Sequence, residues 1–411
     1  MNEIILSLYL FFDEIVAFCF TIFNYDIDIA NSESSLYVYL KVLLGVWAIM
    51  VVLLDIIKRK EVKTFFIAIS CVFIVVGLLI MGTSLNSINV LLPKTSLIIF
   101  TYLFPFLLFL ANSLSEIRFN LVLKYSKYII YLLIISGVLG LVIPSLQGNP
   151  TQALNGFTYQ STSYFYSKGI MLVLVNSMNK KNSKKQVLNY LTIIFFLYLS
   201  ILSGGKGAVL TTVICSVIFL KYAKIEILKM IKLISVVGAL IYISSFIIRK
   251  SDIFLKGFYR SISFISLNKD VFLQNSTGRD AIYKTALTLI SERPFFGYGI
   301  GSAYYTVLGI YPHNLFLEIL IDGGFVLFIF FIFLIYFTLI YLKRNAKKSV
   351  SYLFLYLGFI FNFIHLQFSS SYLFGNYFFW LGILLFLNRA VLKKGEDIYE
   401  NNDILRQFKY Q

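Results

Sequence analysis

Long apolar runs alternate with short polar connections along almost the whole chain. Most of the runs approach the roughly 20 residues that carry a helix across a bilayer. Twelve spans are predicted, at about 4–24, 36–57, 64–82, 90–111, 128–146, 163–179, 187–203, 207–222, 230–248, 316–342, 350–368 and 373–388. Because hydrocarbon offers no partner to free backbone groups, each span must be helical. The pattern predicts an all-α polytopic membrane protein.

Basic residues concentrate in every second connection between these spans. The connections at 58–63, 112–127, 180–186, 221–232 and 343–349, with the tail from Arg389, hold most of the 36 Lys and Arg residues. The alternate short connections, at 25–35, 83–89, 148–162 and 369–372, hold none. Cytoplasmic loops carry such an excess of positive charge. Both termini are therefore predicted to be cytoplasmic.

The composition agrees with a membrane protein and argues against other classes of protein. Charged residues make up 14% of the chain, against about a quarter in soluble domains. The net charge of +16 belongs mostly to the cytoplasmic loops and comes with no nucleic-acid-binding module, so nucleic acid is not an expected partner. The cysteines Cys19, Cys71 and Cys215 lack disulfide or metal spacing. No metal site and no cofactor are expected.

The spans and connections divide the chain into four parts. Residues 1–248 carry the first nine spans, 249–313 form one long extracytoplasmic loop, 314–390 carry the last three spans, and 391–411 form a cytoplasmic tail. Within the loop, 279–294 has a helical apolar stripe that ends at a proline. We expect an amphipathic helix there, lying on or in the outer membrane interface.

Several charged residues fall inside predicted spans. Lys41, Lys94, Lys168 and Lys206 all lie in outer halves, beneath the basic long loop. Each lysine alone could extend to the interface, but together they predict an outward-facing cationic cavity for a multiply charged anion such as pyrophosphate. Asp13 and Glu14 fall near the middle of the first span. Either they pair with a lysine such as Lys168, or residues 1–12 lie along the interface and shift the span.

The segment SGGKGAVL, residues 203–210, combines glycines, Lys206 and the start of a helix. A helix N-terminus with a lysine is a natural phosphate site. The alternative is a tight hairpin whose lysine caps a helix.

One of the two histidines, His313, stands at the mouth of the tenth span. It is a candidate general base for a substrate in the outer cavity. Alternatively, it caps the helix or bonds a loop carbonyl. Asn314 and Glu318 share a helix face there and are candidates to orient the acceptor, with Glu318 the next candidate base. The other histidine, His365, is expected to satisfy a buried polar contact.

A family resemblance rests on the second half of the chain. Arg279, Tyr283 and Ala286, followed by RPFFGYGIGS (293–302), PHNLFLE (312–318) and DGG (322–324), resemble the signature region of Wzy-type O-antigen polymerases and O-antigen ligases. The order of many spans, a glycine-rich turn and a large outer loop is similar too. Lys206 stands where the family usually has arginine.

The resemblance implies a GT-C-like architecture and metal-independent transfer of a glycan from undecaprenyl pyrophosphate to a sugar hydroxyl. The enzyme would be a multi-pass protein of the bacterial inner membrane whose active site faces the periplasm. A polymerase of lipid-linked repeat units is expected, with ligation to lipid A core as the alternative and a 12-span transporter as a weaker one. Membrane lipids and a chain-length regulator are expected partners.

The candidate site residues follow from charge and resemblance together. His313 and Glu318 are the catalytic candidates. The pyrophosphate-binding candidates are Lys206, Arg279, Arg293, Lys168, Lys94 and Arg260. The candidates for binding sugar are Asn314 and Tyr298.

Overall fold

The computed structural model describes residues 1–25, 36–59, 103–147, 149, 151–178, 183–223, 279–302 and 312–389. Within these ranges the regular elements are helices, without strands, as the sequence predicts. They are α1 (Asn2–Leu10), α2 (Phe12–Ile22), α3 (Leu36–Arg59), α4 (Phe104–Ser113), α5 (Phe119–Gly137), α6 (Ile143–Leu146), α7 (Tyr159–Ser177), α8 (Ser183–Ser203), α9 (Lys206–Ala223), α10 (Arg279–Glu292), α11 (Leu315–Asn345), α12 (Val350–Phe368) and α13 (Tyr377–Leu387).

Six helical stretches in the described residues are long and apolar enough to cross a membrane. They are Leu36–Lys58, Phe119–Leu146, Gln186–Ser203, Lys206–Ala223, Leu315–Asn345 and Val350–Phe368. Each overlaps a predicted span, and the last has the predicted bounds, whereas Phe119–Leu146 begins nine residues before the predicted 128, within the predicted connection. Predicted spans 64–82 and 230–248 lie outside the described residues, as does most of 90–111. These findings establish a polytopic, all-helical protein, while the total of twelve spans stays a prediction.

Helices α7 and α12 form the centre of the bundle. Helix α7 packs against α5, α8, α9 and α12, and most of its side chains are buried. Its serines bridge to the neighbouring helices: Ser163 donates to the carbonyl of Ser200 at 2.8 Å, and Ser167 donates to that of Ala208 at 3.0 Å. Small hydroxyl side chains allow close helix packing and bond across it. The polar character of α7 therefore reflects a position surrounded by protein.

The first predicted span is a broken helix. Helices α1 and α2 meet at Phe11 with a bend of 70°. Asp13 and Glu14 lie in the first turn of α2. The free amide groups of a helix N-terminus favour negative charge in that turn. The break thus places both carboxylates at a favourable helix end inside the bundle.

Both carboxylates are paired with lysines from other helices. Glu14 is fully buried, and its Oε1 lies 2.6 Å from Nζ of Lys168 on α7. Oδ1 of Asp13 accepts a hydrogen bond from Tyr37 at 2.7 Å and lies 3.7 Å from Nζ of Lys41 on α3. Of the two alternatives that the sequence left open, the structure shows the pairing with lysines, Lys168 for Glu14 and Lys41 for Asp13. These contacts connect the start of α2 to α3 and α7.

Helix α11 is interrupted at Gly324, whose backbone has φ 61° and ψ −163°. The backbone groups that this interruption leaves without helical partners form hydrogen bonds with the loop that follows α10. The amides of Phe325 and Val326 donate to the carbonyls of Pro294 (2.7 Å) and Phe295 (3.2 Å). The amides of Tyr298 and Gly299 donate in turn to the carbonyls of Ile321 and Asp322, both at 2.8 Å. An interrupted helix is tolerated in a membrane protein because such partners satisfy its backbone.

The amphipathic helix predicted over 279–294 is present as α10. Its buried apolar residues, Ala286, Leu289 and Ile290, face the protein. Ala286 and Ile290 form a small core with Ile321 on the first part of α11. This part of the stripe is therefore covered by α11, and the position of the helix at the membrane interface stays a prediction.

We predict that Glu14→Gln destabilises the protein strongly, because it leaves the Lys168 ammonium without its anion inside the bundle. Removing one partner of a buried pair costs about 3–5 kcal/mol, whereas replacing both can be nearly neutral. The double variant Glu14→Gln/Lys168→Met should therefore regain most of the lost stability. Thermal unfolding in detergent, followed by the monomer fraction, measures both effects.

The matched control is Glu3→Gln, which removes the ion pair with Arg118 at 3.1 Å, where the arginine side chain is 71% exposed. An exposed partner keeps its hydration, so this change should lower stability much less. A double variant no more stable than Glu14→Gln would contradict the assigned pairing.

Candidate functional site

The C-terminal end of α12 joins two of the predicted cationic residues. Phe368 is the last residue of α12. Its carbonyl accepts a hydrogen bond from Nη2 of Arg279, the first residue of α10, at 2.9 Å. Its side chain also packs on Gly207 in the SGGKGA turn, where an added Cβ would lie 2.7 Å from Cβ of Phe368. Arg279 and the turn that carries Lys206 therefore meet around one residue.

The SGGKGA turn needs its glycines for close packing. Gly204 has φ 81°, a conformation that side chains disfavour. A Cβ on Gly205 would lie 2.6 Å from Cβ of Ser163, and one on Gly207 would lie 2.1 Å from the hydroxyl of Tyr164. The turn is thus pressed against α7. Lys206, half-buried, is the first residue of α9, so a cationic residue begins the helix at the positive end of its dipole.

His313 lies just before α11, within electrostatic reach of Arg279. Its backbone has φ 52°, a left-handed conformation that is uncommon for a residue with a side chain and is concentrated at functional sites. Burial, and then the positive charge of Arg279, lower the pKa of His313 to about 4. The imidazole is therefore neutral near pH 7 and able to accept a proton.

Asn314 has a structural task at the same place. Its side-chain oxygen accepts hydrogen bonds from the amides of Phe316 (3.0 Å) and Leu317 (3.2 Å) and so caps α11. This N-cap fixes the start of the helix directly after His313. The capping role considered for the histidine thus belongs to its neighbour.

Two buried carboxylates on α11, after the histidine in the chain, accept hydrogen bonds from neighbouring loops. Glu318 is 1% exposed and accepts a hydrogen bond from Ser371. Asp322, equally buried, accepts from the amide of Gly301 at 2.9 Å, the hydroxyl of Ser302 at 3.0 Å and the hydroxyl of Tyr372 at 2.6 Å. Burial and these carboxylates hold the pKa of the Tyr372 hydroxyl well above its usual range.

Asp322 therefore joins the glycine loop after α10 to the loop between α12 and α13. Sequence reasoning assigned it no role, although an aspartate in an apolar span before two glycines was the available signal. Glu318 is buried in the same region. A structural role in holding the loop is therefore favoured over direct contact with a substrate.

Arg293 is placed apart from Arg279. The two arginines stand at opposite ends of α10, about 20 Å apart along the helix axis. The guanidinium of Arg293 lies 4.7 Å from the ring centroid of Tyr298, and the Tyr298 hydroxyl donates to Glu292 at 2.6 Å. Burial and Glu292 raise the pKa of Tyr298 to about 12. Arg293 and Tyr298 thus form a local cluster separate from Phe368.

The other predicted cations have different surroundings. Lys168 and Lys41 are the ion-pair partners of Glu14 and Asp13, so carboxylates offset their charges within the protein. Lys94 and Arg260 lie outside the described residues. His365 packs against Tyr164 with ring centroids 3.9 Å apart and the ring planes tilted by 41°, and it bonds Asn376, which confirms its expected buried polar contact.

The described residues contain no group of three His, Cys, Asp or Glu side chains placed to hold a metal ion. The groups able to meet a ligand around Phe368 are instead the ammonium of Lys206, the guanidinium of Arg279, the amino end of α9 and a neutral imidazole. Such a set can bind a multiply charged anion and accept a proton beside it.

One family model matches the chain, over residues 191–332, and is described as O-antigen ligase. The matched segment contains Lys206, Arg279 and His313. No curated protein and no solved structure matches the chain. Members of this family are glycosyltransferase-like membrane enzymes that act on polysaccharides. The match supports the O-antigen ligase and polymerase superfamily and does not separate ligases from polymerases.

Proposed function

We propose that this protein transfers a glycan from an undecaprenyl-pyrophosphate carrier to a sugar hydroxyl at the outer face of the membrane. The observation that carries the proposal is the meeting of Arg279 and the Lys206 turn at Phe368, with His313 within electrostatic reach of Arg279. The positive-inside pattern puts this end of the bundle outside, where lipid-linked oligosaccharides are presented.

The proposed reaction forms one bond and breaks another at the same carbon. A hydroxyl of the acceptor sugar attacks the anomeric carbon of the donor, and the bond from that carbon to the pyrophosphate oxygen breaks. The hydroxyl proton goes to the neutral imidazole of His313. The leaving lipid pyrophosphate is stabilised by Lys206, Arg279 and the amino end of α9.

The electrostatics around His313 suit such a step. With a pKa near 4 the imidazole is a weak base, so it accepts the proton as the attack makes the hydroxyl acidic. Arg279 then disfavours the imidazolium and promotes return of the proton to the leaving group or to water. Asn314 and Glu318 support the reaction by holding the start of α11 and the loop at Ser371.

Arg293, Tyr298, Lys168, Lys94 and Arg260 have no assigned place in this scheme. The separation of Arg293 from Phe368 and the pairing of Lys168 with Glu14 favour the smaller pair, Lys206 and Arg279, for the pyrophosphate.

Within this activity, we propose polymerisation of lipid-linked repeat units, with a chain-length regulator as a partner. Ligation to lipid A core is the second candidate, because the matching family model is described as O-antigen ligase.

A test of the acceptor separates the two activities. We expect the purified protein to lengthen a lipid-linked repeat unit when another such unit is the only acceptor. A deletion strain should then retain single repeat units on its surface glycan. Transfer only to lipid A core, with loss of all repeat units in the deletion strain, would instead identify a ligase.

We predict that Lys206→Ala and Arg279→Ala each slow transfer about 10- to 150-fold. Losing one charge-assisted contact costs about 1.5–3 kcal/mol, which corresponds to that range. Lys206→Arg should retain activity, because arginine also binds phosphate. The assay is in vitro transfer from a lipid-linked donor, with protein abundance and monodispersity checked for each variant.

Arg293→Ala is the matched control, since it removes the same charge from the other end of the same helix. It should leave transfer within a few-fold of the unchanged protein. A loss at Arg293 as large as at Arg279 would overturn the assignment of the pyrophosphate to the surroundings of Phe368.

We predict that kcat/KM stays level from about pH 8 down to pH 5 and falls as the pH approaches 4. The rate needs neutral His313, and the lowered pKa keeps the imidazole neutral well below the usual histidine value of about 6.5. His313→Ala should slow transfer about 10²- to 10⁴-fold while donor binding persists. A midpoint near 6.5 would contradict the lowered pKa of His313, and unchanged turnover in His313→Ala would remove the histidine as base and leave Glu318 as the next candidate.

A further inference from the structure

Two large apolar side chains stand exposed in the turn after α10. Phe295 and Phe296 are 65% and 76% exposed. The apolar stripe of α10 is already covered by α11, so these rings are not part of that small core. Leaving two phenylalanine rings in water forgoes the burial of a large apolar area. An exposed aromatic pair on an ordered turn indicates a contact surface.

The turn is fixed in place by the interruption of α11. The carbonyls of Pro294 and Phe295 accept the amides of Phe325 and Val326 at 2.7 and 3.2 Å. Gly324 allows the approach, since a Cβ there would lie 2.3 Å from the carbonyl carbon of Phe295. The position of the phenylalanine pair is therefore set by the backbone beside the start of the second part of α11.

That second part has the length and surface of a membrane span. From Phe325 to Asn345 it has about 20 residues, or roughly 30 Å of helix, which is enough to cross the hydrocarbon core. Its exposed side chains are large and apolar: Phe325, Val326, Ile329, Phe330 and Phe333. Their spacing of one to four residues describes a lipid-facing side. Phe295 and Phe296 continue this surface at the end predicted to be outside.

We propose that Phe295 and Phe296 insert into the outer leaflet, at the boundary between headgroups and acyl chains, and anchor the loop after α10 to the membrane. Exposed Arg293 next to them is placed at headgroup level, where basic and aromatic side chains are favoured. The anchor fixes one end of α10 at the membrane surface. It thereby keeps the rest of that helix, including Arg279, at a fixed distance from the surface. The proposed anchor does not depend on which reaction the site performs.

The test is site-directed spin labelling of the full chain in nanodiscs, with Cys19, Cys71 and Cys215 replaced. Labels at Phe295→Cys and Phe296→Cys should collide several-fold more often with oxygen, which enters lipid, than with a water-soluble nickel complex. Ser291→Cys is the matched control: Ser291 is exposed on α10, five residues before Phe296, and should favour the nickel complex. Ile329→Cys supplies the lipid-facing reference.

Nickel accessibility at 295 and 296 equal to that at 291 would overturn the proposal. A second readout keeps the aromatic side chain: Phe296→Trp should be quenched by brominated lipid beyond the quenching of the unchanged protein, which contains Trp47 and Trp380. Absence of the added quenching contradicts the insertion. Neither readout uses enzymatic activity, so failure of the anchor and failure of the proposed reaction are distinguishable.

Discussion

Polar groups placed at membrane depth must find partners inside the protein, and the described structure is organised by that constraint. Hydrocarbon gives neither hydrogen bonds nor hydration. Glu14 and Lys168 meet at 2.6 Å, and the interrupted backbone at Gly324 bonds the loop after α10. The terminal carbonyl of α12 at Phe368 takes the guanidinium of Arg279. Each solution ties together segments that are distant in sequence, so the same contacts that satisfy polar groups also assemble the candidate site.

The candidate site and the interior of the bundle differ in the charged groups that they bring together. In the interior, Lys41 and Lys168 are offset by Asp13 and Glu14, which leaves that region close to neutral. Around Phe368, cationic side chains, a helix amino end and a neutral imidazole gather beside one another. A lipid pyrophosphate brings its own negative charge, and cationic side chains beside a helix amino end form a setting that binds such an anion. This contrast explains why only some of the basic residues fit the proposed reaction.

Much of the fold could be predicted from the chain, because hydropathy is a local property. The predicted span 350–368 coincides with α12, and the helix and apolar stripe of α10 were also predicted. Contacts between helices were harder to predict, because the sequence indicates how deep in the membrane a residue lies but not the direction in which it faces. The same pattern that suggested a cationic cavity also fits lysines paired with Asp13 and Glu14. The bonds from Asp322 to Gly301, Ser302 and Tyr372 depend on a meeting of loops that no periodicity encodes.

The central claim is that the pyrophosphate of a lipid-linked donor binds between Lys206 and Arg279 at the end of α12. A structure of the protein in nanodiscs with a non-reactive undecaprenyl-pyrophosphate sugar analogue tests this directly. The account predicts phosphate density within hydrogen-bond distance of the Lys206 ammonium and the Arg279 guanidinium, with the anomeric carbon near His313. Phosphate bound instead at Arg293 and Tyr298, with Lys206 and Arg279 free of it, would contradict the account.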